Sequence, residues 1–221
     1  MGSVLDSLSE FFRAGGPFMY VNLISSAAAI AIIAERSISL VFRYSINSGP
    51  FMEQVTKLVM TGNVDRAVKL CGAAPNAVLP RVIRAGLARA NRGEIEVARG
   101  IEEAVLEVTP TLTKRIQALW SIANIATLLG LIGTITGLIR AFRSLGAVAA
   151  EQKNIILSKG ISEAMNNTAF GLSIAVTCII AHLFLTAKAK GTIEEIELHA
   201  LKLENLLARR SSGEGAEAQS A

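Results

Sequence analysis

The chain has 221 residues, is 51% hydrophobic, 18% charged and 5% aromatic, and carries a formal net charge of +4; its mean hydropathy of +0.45 is a value soluble domains seldom reach. No Asp, Glu, Lys or Arg occurs in 14–34, 116–139 or 164–187, so the 40 charges crowd into the other 152 positions. This partition excludes a soluble globular enzyme, a secreted disulfide scaffold and a nucleic-acid binder: the basic residues lie outside the windows, interleaved with acids, and Cys71, Cys178, His182 and His199 give no metal-ligand spacing.

In chain order, Val4, Leu5, Leu8, Phe11 and Phe12 share one face of a short amphipathic helix, predicted to lie flat at the membrane interface before Gly15, Gly16 and Pro17. Asp6 and Glu10 stand against a single Arg13, so the start lacks the basic region of a cleavable signal, and the first window is expected to stay as an anchor. At about 1.5 Å per residue each window covers roughly 30 Å, the thickness of the hydrocarbon core. Apolar periodicity continues past Glu35 and Arg36 through Ile38, Leu40, Val41 and Phe42, and Asn47 to Pro50 break it.

From Phe51 to Glu107 the pattern is helical. One stripe holds Met52, Val55, Leu58 and Val59, a second Val64, Ala67, Val68 and Cys71, and a third Val78, Leu79, Val82, Ile83 and Leu87, with turns at Gly62–Asn63 and Gly72–Pro75. A run opening near Glu94 is expected to continue into the second window with only a kink at Pro110. Ser211 to Ala221 are read as a disordered tail.

Lys and Arg number 12 between Glu35 and Arg115, five after Ala187, four between the second and third windows and one before the first. The positive-inside rule then puts the long middle segment and the C-terminus in the cytoplasm and the N-terminus outside.

The second and third spans hold the informative chemistry. Thr127, Gly130, Thr134 and Gly137 make one small face, with Gly133 and Gly137 a GxxxG pair, and Ala164, Thr168, Gly171, Ala175 and Cys178 make another. Small faces let membrane helices approach closely, and packing alone accounts for Gly130, Gly133, Gly137 and Gly171. In a hairpin centred on Glu151, Thr134 and Thr168 are equidistant from the turn, roughly 10 Å inside the outer end. Two readings stand side by side: the hydroxyls line a shared polar cavity, or each bonds the carbonyl four residues earlier. Glu163 opens the third span as a proton-carrying acid or as a boundary residue paired with Arg140, and the amides of Asn166 and Asn167 require partners in protein or water. His182 is expected as a neutral, hydrogen-bonded histidine near the inner end.

Gly130-Leu-Ile-Gly-Thr-Ile-Thr-Gly137 with Phe142, and Gly160-Ile-Ser-Glu-Ala-Met-Asn-Asn-Thr-Ala-Phe-Gly-Leu172, resemble the two signature stretches of the MotA/TolQ/ExbB proton-channel family. Glu35-Arg36, Gly62-Asn63 with Ala67 and Cys71, and Pro80-Arg81-Val82 through Gly86-Leu87 are similar to its TolQ/ExbB branch. The resemblance implies a subunit of an inner-membrane motor, not an enzyme, that uses proton motive force and has protons as coupling ion rather than a cofactor. It further implies a homopentamer around two helices of a single-span ExbD/TolR-like partner, with Thr134, Thr168 and Glu163 as pore residues. No Asp lies in any window, so the resemblance assigns the titrating aspartate to the partner. Thr127 stands where the family often has proline. The output is left open among import, division-linked constriction and gliding, and the rival reading is a non-conducting scaffold that anchors a partner.

The expected fold is an all-α, ring-forming membrane protein with three transmembrane helices and long cytoplasmic helical extensions. Its parts are a periplasmic amphipathic helix at 1–16, spans at 17–34, 116–141 and 163–187, a cytoplasmic helical region at 35–115, a periplasmic loop at 142–162, and a cytoplasmic helix with its tail at 188–221.

Overall fold

The computed structural model describes residues 16–44, 46–147 and 149–219, and no strand occurs among them. Seven α-helices follow one another among these residues: α1 (Pro17–Ile38), α2 (Ser48–Met60), α3 (Val64–Gly72), α4 (Val78–Leu87), α5 (Glu94–Thr113), α6 (Ile116–Ser144) and α7 (Ala150–Gln219). Three helical stretches, 17–42, 94–144 and 151–209, are long and apolar enough to cross a membrane. Apart from Gly16, the amphipathic helix expected over 1–16 lies outside the described residues.

The chain divides into two compact units. The first comprises α1 up to Glu35, α6 and the part of α7 up to Phe184; the second comprises 36–114 and α7 from Leu185 onward. In the first unit Pro17 opens α1, where its missing N–H costs nothing, and Gly16 at φ +70° supplies the bend before it. α6 and α7 pack as an antiparallel pair. A Cβ on Gly137 would stand 3.0 Å from the Ala164 Cβ, and one on Gly130 would stand 3.2 Å from the Thr168 Cα. These contacts match residues whose numbers sum to about 301, so the register of a hairpin centred near Glu151 is the observed one.

The second unit has an aliphatic core. Val55, Val59, Val82, Ile83, Leu87, Val97, Leu112 and Leu203 are fully or almost fully buried, and α4 packs against both α3 and α5. On α7 the buried positions Leu185, Ala189, Ile196, Ala200, Leu203 and Leu207 recur at helical spacing, which gives one apolar stripe. Ion pairs of 2.7 Å join Arg81 on α4, and Arg89 in the turn just after it, to Glu107 and Glu103 of α5 respectively. The Ser48 hydroxyl donates to the Glu195 carboxylate. Buried Arg36 donates to the Thr111 carbonyl at 3.3 Å.

Three expectations need correction. The run from Glu94 does not continue into the second span: Pro110 is accommodated inside α5, and the break falls at Lys114–Arg115, where Arg115 adopts a left-handed φ of 63°. An ion pair of 2.7 Å with Glu35 accompanies that unusual backbone. The loop expected over 142–162 is mostly helix, since α6 reaches Ser144, a 3-10 turn covers Leu145–Ala147 and α7 opens at Ala150. Charges mark where a helix leaves lipid, not where it ends, and Ala, Glu, Gln, Lys and Leu are good helix formers. The tail read as disordered from Ser211 is also helical through Gln219 despite Gly213 and Gly215, because adding residues to an existing helix avoids the cost of nucleation.

Candidate functional site

In a span every polar side chain must find its partner inside protein, so the first question is where the hydroxyls go. Thr134 on α6 and Thr168 on α7 are both half-buried, and their hydroxyls hydrogen-bond to each other. Thr134 Oγ1 also reaches the Gly130 carbonyl at 3.1 Å and the Ala164 carbonyl at 3.4 Å. Thr168 Oγ1 reaches the Gly130 carbonyl at 3.0 Å across the helix interface, not the carbonyl four residues before it. Both sequence readings therefore hold in part: Thr134 is within bonding distance of its own helix, while Thr168 is tied to the neighbour.

Each hydroxyl has one proton to give. Either Thr134 donates to Thr168 and Thr168 to the Gly130 carbonyl, or Thr168 donates to Thr134 and Thr134 to a carbonyl. The pair can reverse without displacing the backbone, which is the property a hydroxyl link in a proton path requires.

Glycines set this geometry. A Cβ on Gly171 would stand 2.5 Å from the Ala126 carbonyl oxygen and 3.2 Å from the Gly130 Cα, so α6 and α7 touch backbone to backbone at this level. Gly133 does something else: its bare Cα seats the side-chain amide of Asn167, which a Cβ would displace. The GxxxG pair thus splits its labour, with Gly137 accepting Ala164 and Gly133 accepting an amide.

Glu163 is not brought to the threonines. Five residues separate it from Thr168, about 7.5 Å along the helix and well round its circumference. Instead it lines a cavity of about 260 Å³ together with Arg140 and Lys159. The Glu163–Arg140 pair weighed from the sequence is absent among the ion pairs of the described residues; the Arg140 guanidinium lies beside Gly16, where a Cβ would stand 3.5 Å from Nη1. Arg140 and Glu163 occupy facing helices, and a charge at the membrane edge can turn toward water rather than toward its opposite.

His182 packs its ring edge-on to Trp120, with centroids 6.0 Å apart at 71°. Thr127, one turn before Gly130, donates to the Ala123 carbonyl at 3.0 Å, and α6 runs unbroken through it. No group of three or more His, Cys, Asp and Glu that could hold a metal stands among the described residues.

One polar residue escaped the sequence reading. Asn22 on α1 is fully buried, and its amide nitrogen would lie 3.3 Å from a Cβ on Gly171. Neither it nor Asn167, 1% exposed, has a side-chain partner among the described residues. The signal was available, since Asn22 is the one amide side chain in the first charge-free window. Asn22 and Asn167 mark α1 as part of the polar interior that the threonines share.

Comparison with known proteins finds a matching family and several relatives. A family model, the MotA/TolQ/ExbB proton channel family, matches residues 74–198. The chain is 28% identical over 191 residues to an ExbB homolog of Methanothermobacter thermautotrophicus, covering 86% of this chain and 66% of that protein. It is 27% identical over 206 residues to the biopolymer transport protein exbB1 of Vibrio cholerae, covering 91% of this chain and 89% of that one. A Synechocystis ExbB-like protein is 32% identical over 177 residues, 77% of this chain and 81% of its own length.

Proposed function

Because the chain belongs to the MotA/TolQ/ExbB proton channel family, in its ExbB-like branch, we propose that it is the channel-forming subunit of an inner-membrane motor that converts proton motive force into movement of a single-span partner. The observation that supports this reading best is the Thr134–Thr168 hydroxyl pair, held at one depth by the glycine contacts of α6 and α7. A hydroxyl pair alone does not carry a proton across a bilayer, which needs a titrating group and a route for water. Glu163 is the acid at the mouth, and the partner supplies the one in mid-span. The small faces of α6 and α7 suit a ring, and closed cyclic symmetry is the usual arrangement of identical chains. Five copies surround two partner helices in this proposal, with the number taken from the family.

The proposed orientation follows the Lys and Arg distribution, with the N-terminus in the periplasm and the C-terminus in the cytoplasm. A single cysteine at position 147 in a Cys-free background then reacts with an impermeant thiol reagent in cells with a permeabilised outer membrane, and one at 91 does not.

The decisive experiment replaces both hydroxyls. Thr134→Ala with Thr168→Ala keeps the small faces, so the complex assembles, while proton-driven activity is lost. Full activity in the double variant reduces the threonines to helix packing and favours the rival reading of a non-conducting scaffold.

A further inference from the structure

The cavity that holds Glu163 carries more positive than negative charge. Its wall includes Gly16 before α1, Arg140 on α6, and Lys159, Gly160 and Glu163 on α7. With Glu163 ionised the three charged side chains sum to +1, and neither Arg140 nor Lys159 makes an ion pair among the described residues. Among the described residues one carboxylate faces two cations at this cavity, and the excess positive charge attracts an anion.

Position narrows the class of anion. The charge-free windows run 14–34, 116–139 and 164–187, so Gly16, Arg140 and Glu163 all stand at the same edge of the three spans. That edge is where phospholipid phosphates lie. An arginine fork suits phosphate oxygens bidentately, and a lysine adds a point charge. The opening turn of α1 carries no acidic residue, so the positive end of this helix of 22 residues adds to the positive side of the cavity. Gly16, Gly137 and Gly160 contribute no side chains, which leaves backbone as part of the wall.

We propose that this cavity is a phosphate-ester site that takes the headgroup of an anionic phospholipid between Arg140 and Lys159. Glu163 shares the wall, so its negative charge opposes the headgroup and its replacement by glutamine tightens binding. The proposal stands independently of proton conduction, because its readout is lipid retention.

The experiment uses the full chain, purified in mild detergent, with native mass spectrometry and thermal unfolding as readouts. Phosphatidylglycerol is expected to stay bound and raise the unfolding midpoint, while diacylglycerol, which lacks the phosphate, does neither. Arg140→Gln and Lys159→Gln each reduce retention several-fold, their combination removes it, and Glu163→Gln increases it. Glycerol phosphate at millimolar concentration separates the sources: displacement of the lipid shows that the phosphate ester alone suffices, and failure to displace shows that the site takes it only on acyl chains. Equal retention of diacylglycerol and phosphatidylglycerol by the unmodified chain overturns the proposal without any variant. So does undiminished retention by the folded Arg140→Gln, Lys159→Gln double variant.

Discussion

Gly171 on α7 and Gly86 on α4 both sit where a neighbouring helix passes close, yet they meet different things. A Cβ on Gly171 would stand 2.5 Å from a backbone carbonyl, that of Ala126, whereas one on Gly86 would stand 2.8 Å from Cγ1 of the Ile101 side chain. The contrast recurs across the two units, with Gly100 on α5, whose Cβ would stand 3.1 Å from the Ala85 carbonyl oxygen, the close backbone approach of the second. In the membrane-spanning unit α6 and α7 approach through Gly130, Gly137, Ala164 and Gly171 and are tied by hydroxyls. In the other unit Ile83, Leu87, Leu112 and Leu203 interdigitate as they do in a soluble core. Lipid tails are as apolar as leucine, so helices in a bilayer gain little by burying large side chains and gain more from close backbone contact and polar bonds. Outside the spans the hydrophobic effect returns and large aliphatic stripes decide the packing.

The largest expected effect tests that contrast directly. Gly171→Ala forces backbone apart and is predicted to destabilise the protein by about 3 kcal/mol or more. Gly86→Ala is predicted to cost less, about 1–2 kcal/mol, because the atoms in its way belong to the Ile101 and Leu203 side chains rather than to backbone and alanine favours the helix. Thermal unfolding of the two variants in the same detergent compares them. Equal tolerance at both positions would show that the two units do not pack by different rules.

A second prediction sharpens what the membrane glycines do. Gly133→Ala collides with the Asn167 amide, so the damage should be relieved in combination with Asn167→Ala, with a coupling of about 1–2 kcal/mol in a double-mutant cycle. Simple additivity would place Gly133 with the backbone-contact glycines instead.

The smallest effect is chemical and belongs to the second unit. Burial pushes the Cys71 thiol up to about 11, against the smaller opposing pull of Arg84. At pH 8 it is then roughly 0.1% thiolate, against about a quarter for a free cysteine, so alkylation should run about 200-fold slower than at Asn91→Cys in a Cys178→Ser background. The sign for stability follows. Folding disfavours the thiolate, so the contribution of Cys71 is complete below the ordinary thiol pKa and is lost as pH rises through 11. Equal labelling rates at 71 and 91 would mean that the helices outside the spans do not enclose a dry core.

Much of this was legible in sequence because lipid imposes a composition rule that needs no tertiary knowledge. The three spans follow from charge-free length, and the apolar stripes of α2, α3 and α4 follow from period. The pairing of Thr134 with Thr168 follows from counting outward from Glu151, since an antiparallel helix pair keeps one register along its length. Helix ends were harder to place. The stop at Lys114–Arg115 depends on a left-handed backbone beside Glu35, a residue 80 positions away, and the start of α7 at Ala150 lies among charges that read as loop.

What the sequence by itself determined is therefore the number of spans, the small-residue faces they carry and the level of the two hydroxyls, because each depends on local periodicity and on the thickness of the bilayer. Only the tertiary structure decided the partners: Thr168 bonding the Gly130 carbonyl, Asn167 seated on Gly133, Asn22 buried beside Gly171, and Glu163 set in a cavity with Arg140 and Lys159 rather than joined to either. A side chain's partner depends on the rotation of two helices about their own axes, and that rotation is fixed by the sum of many small contacts that no single stretch of sequence contains.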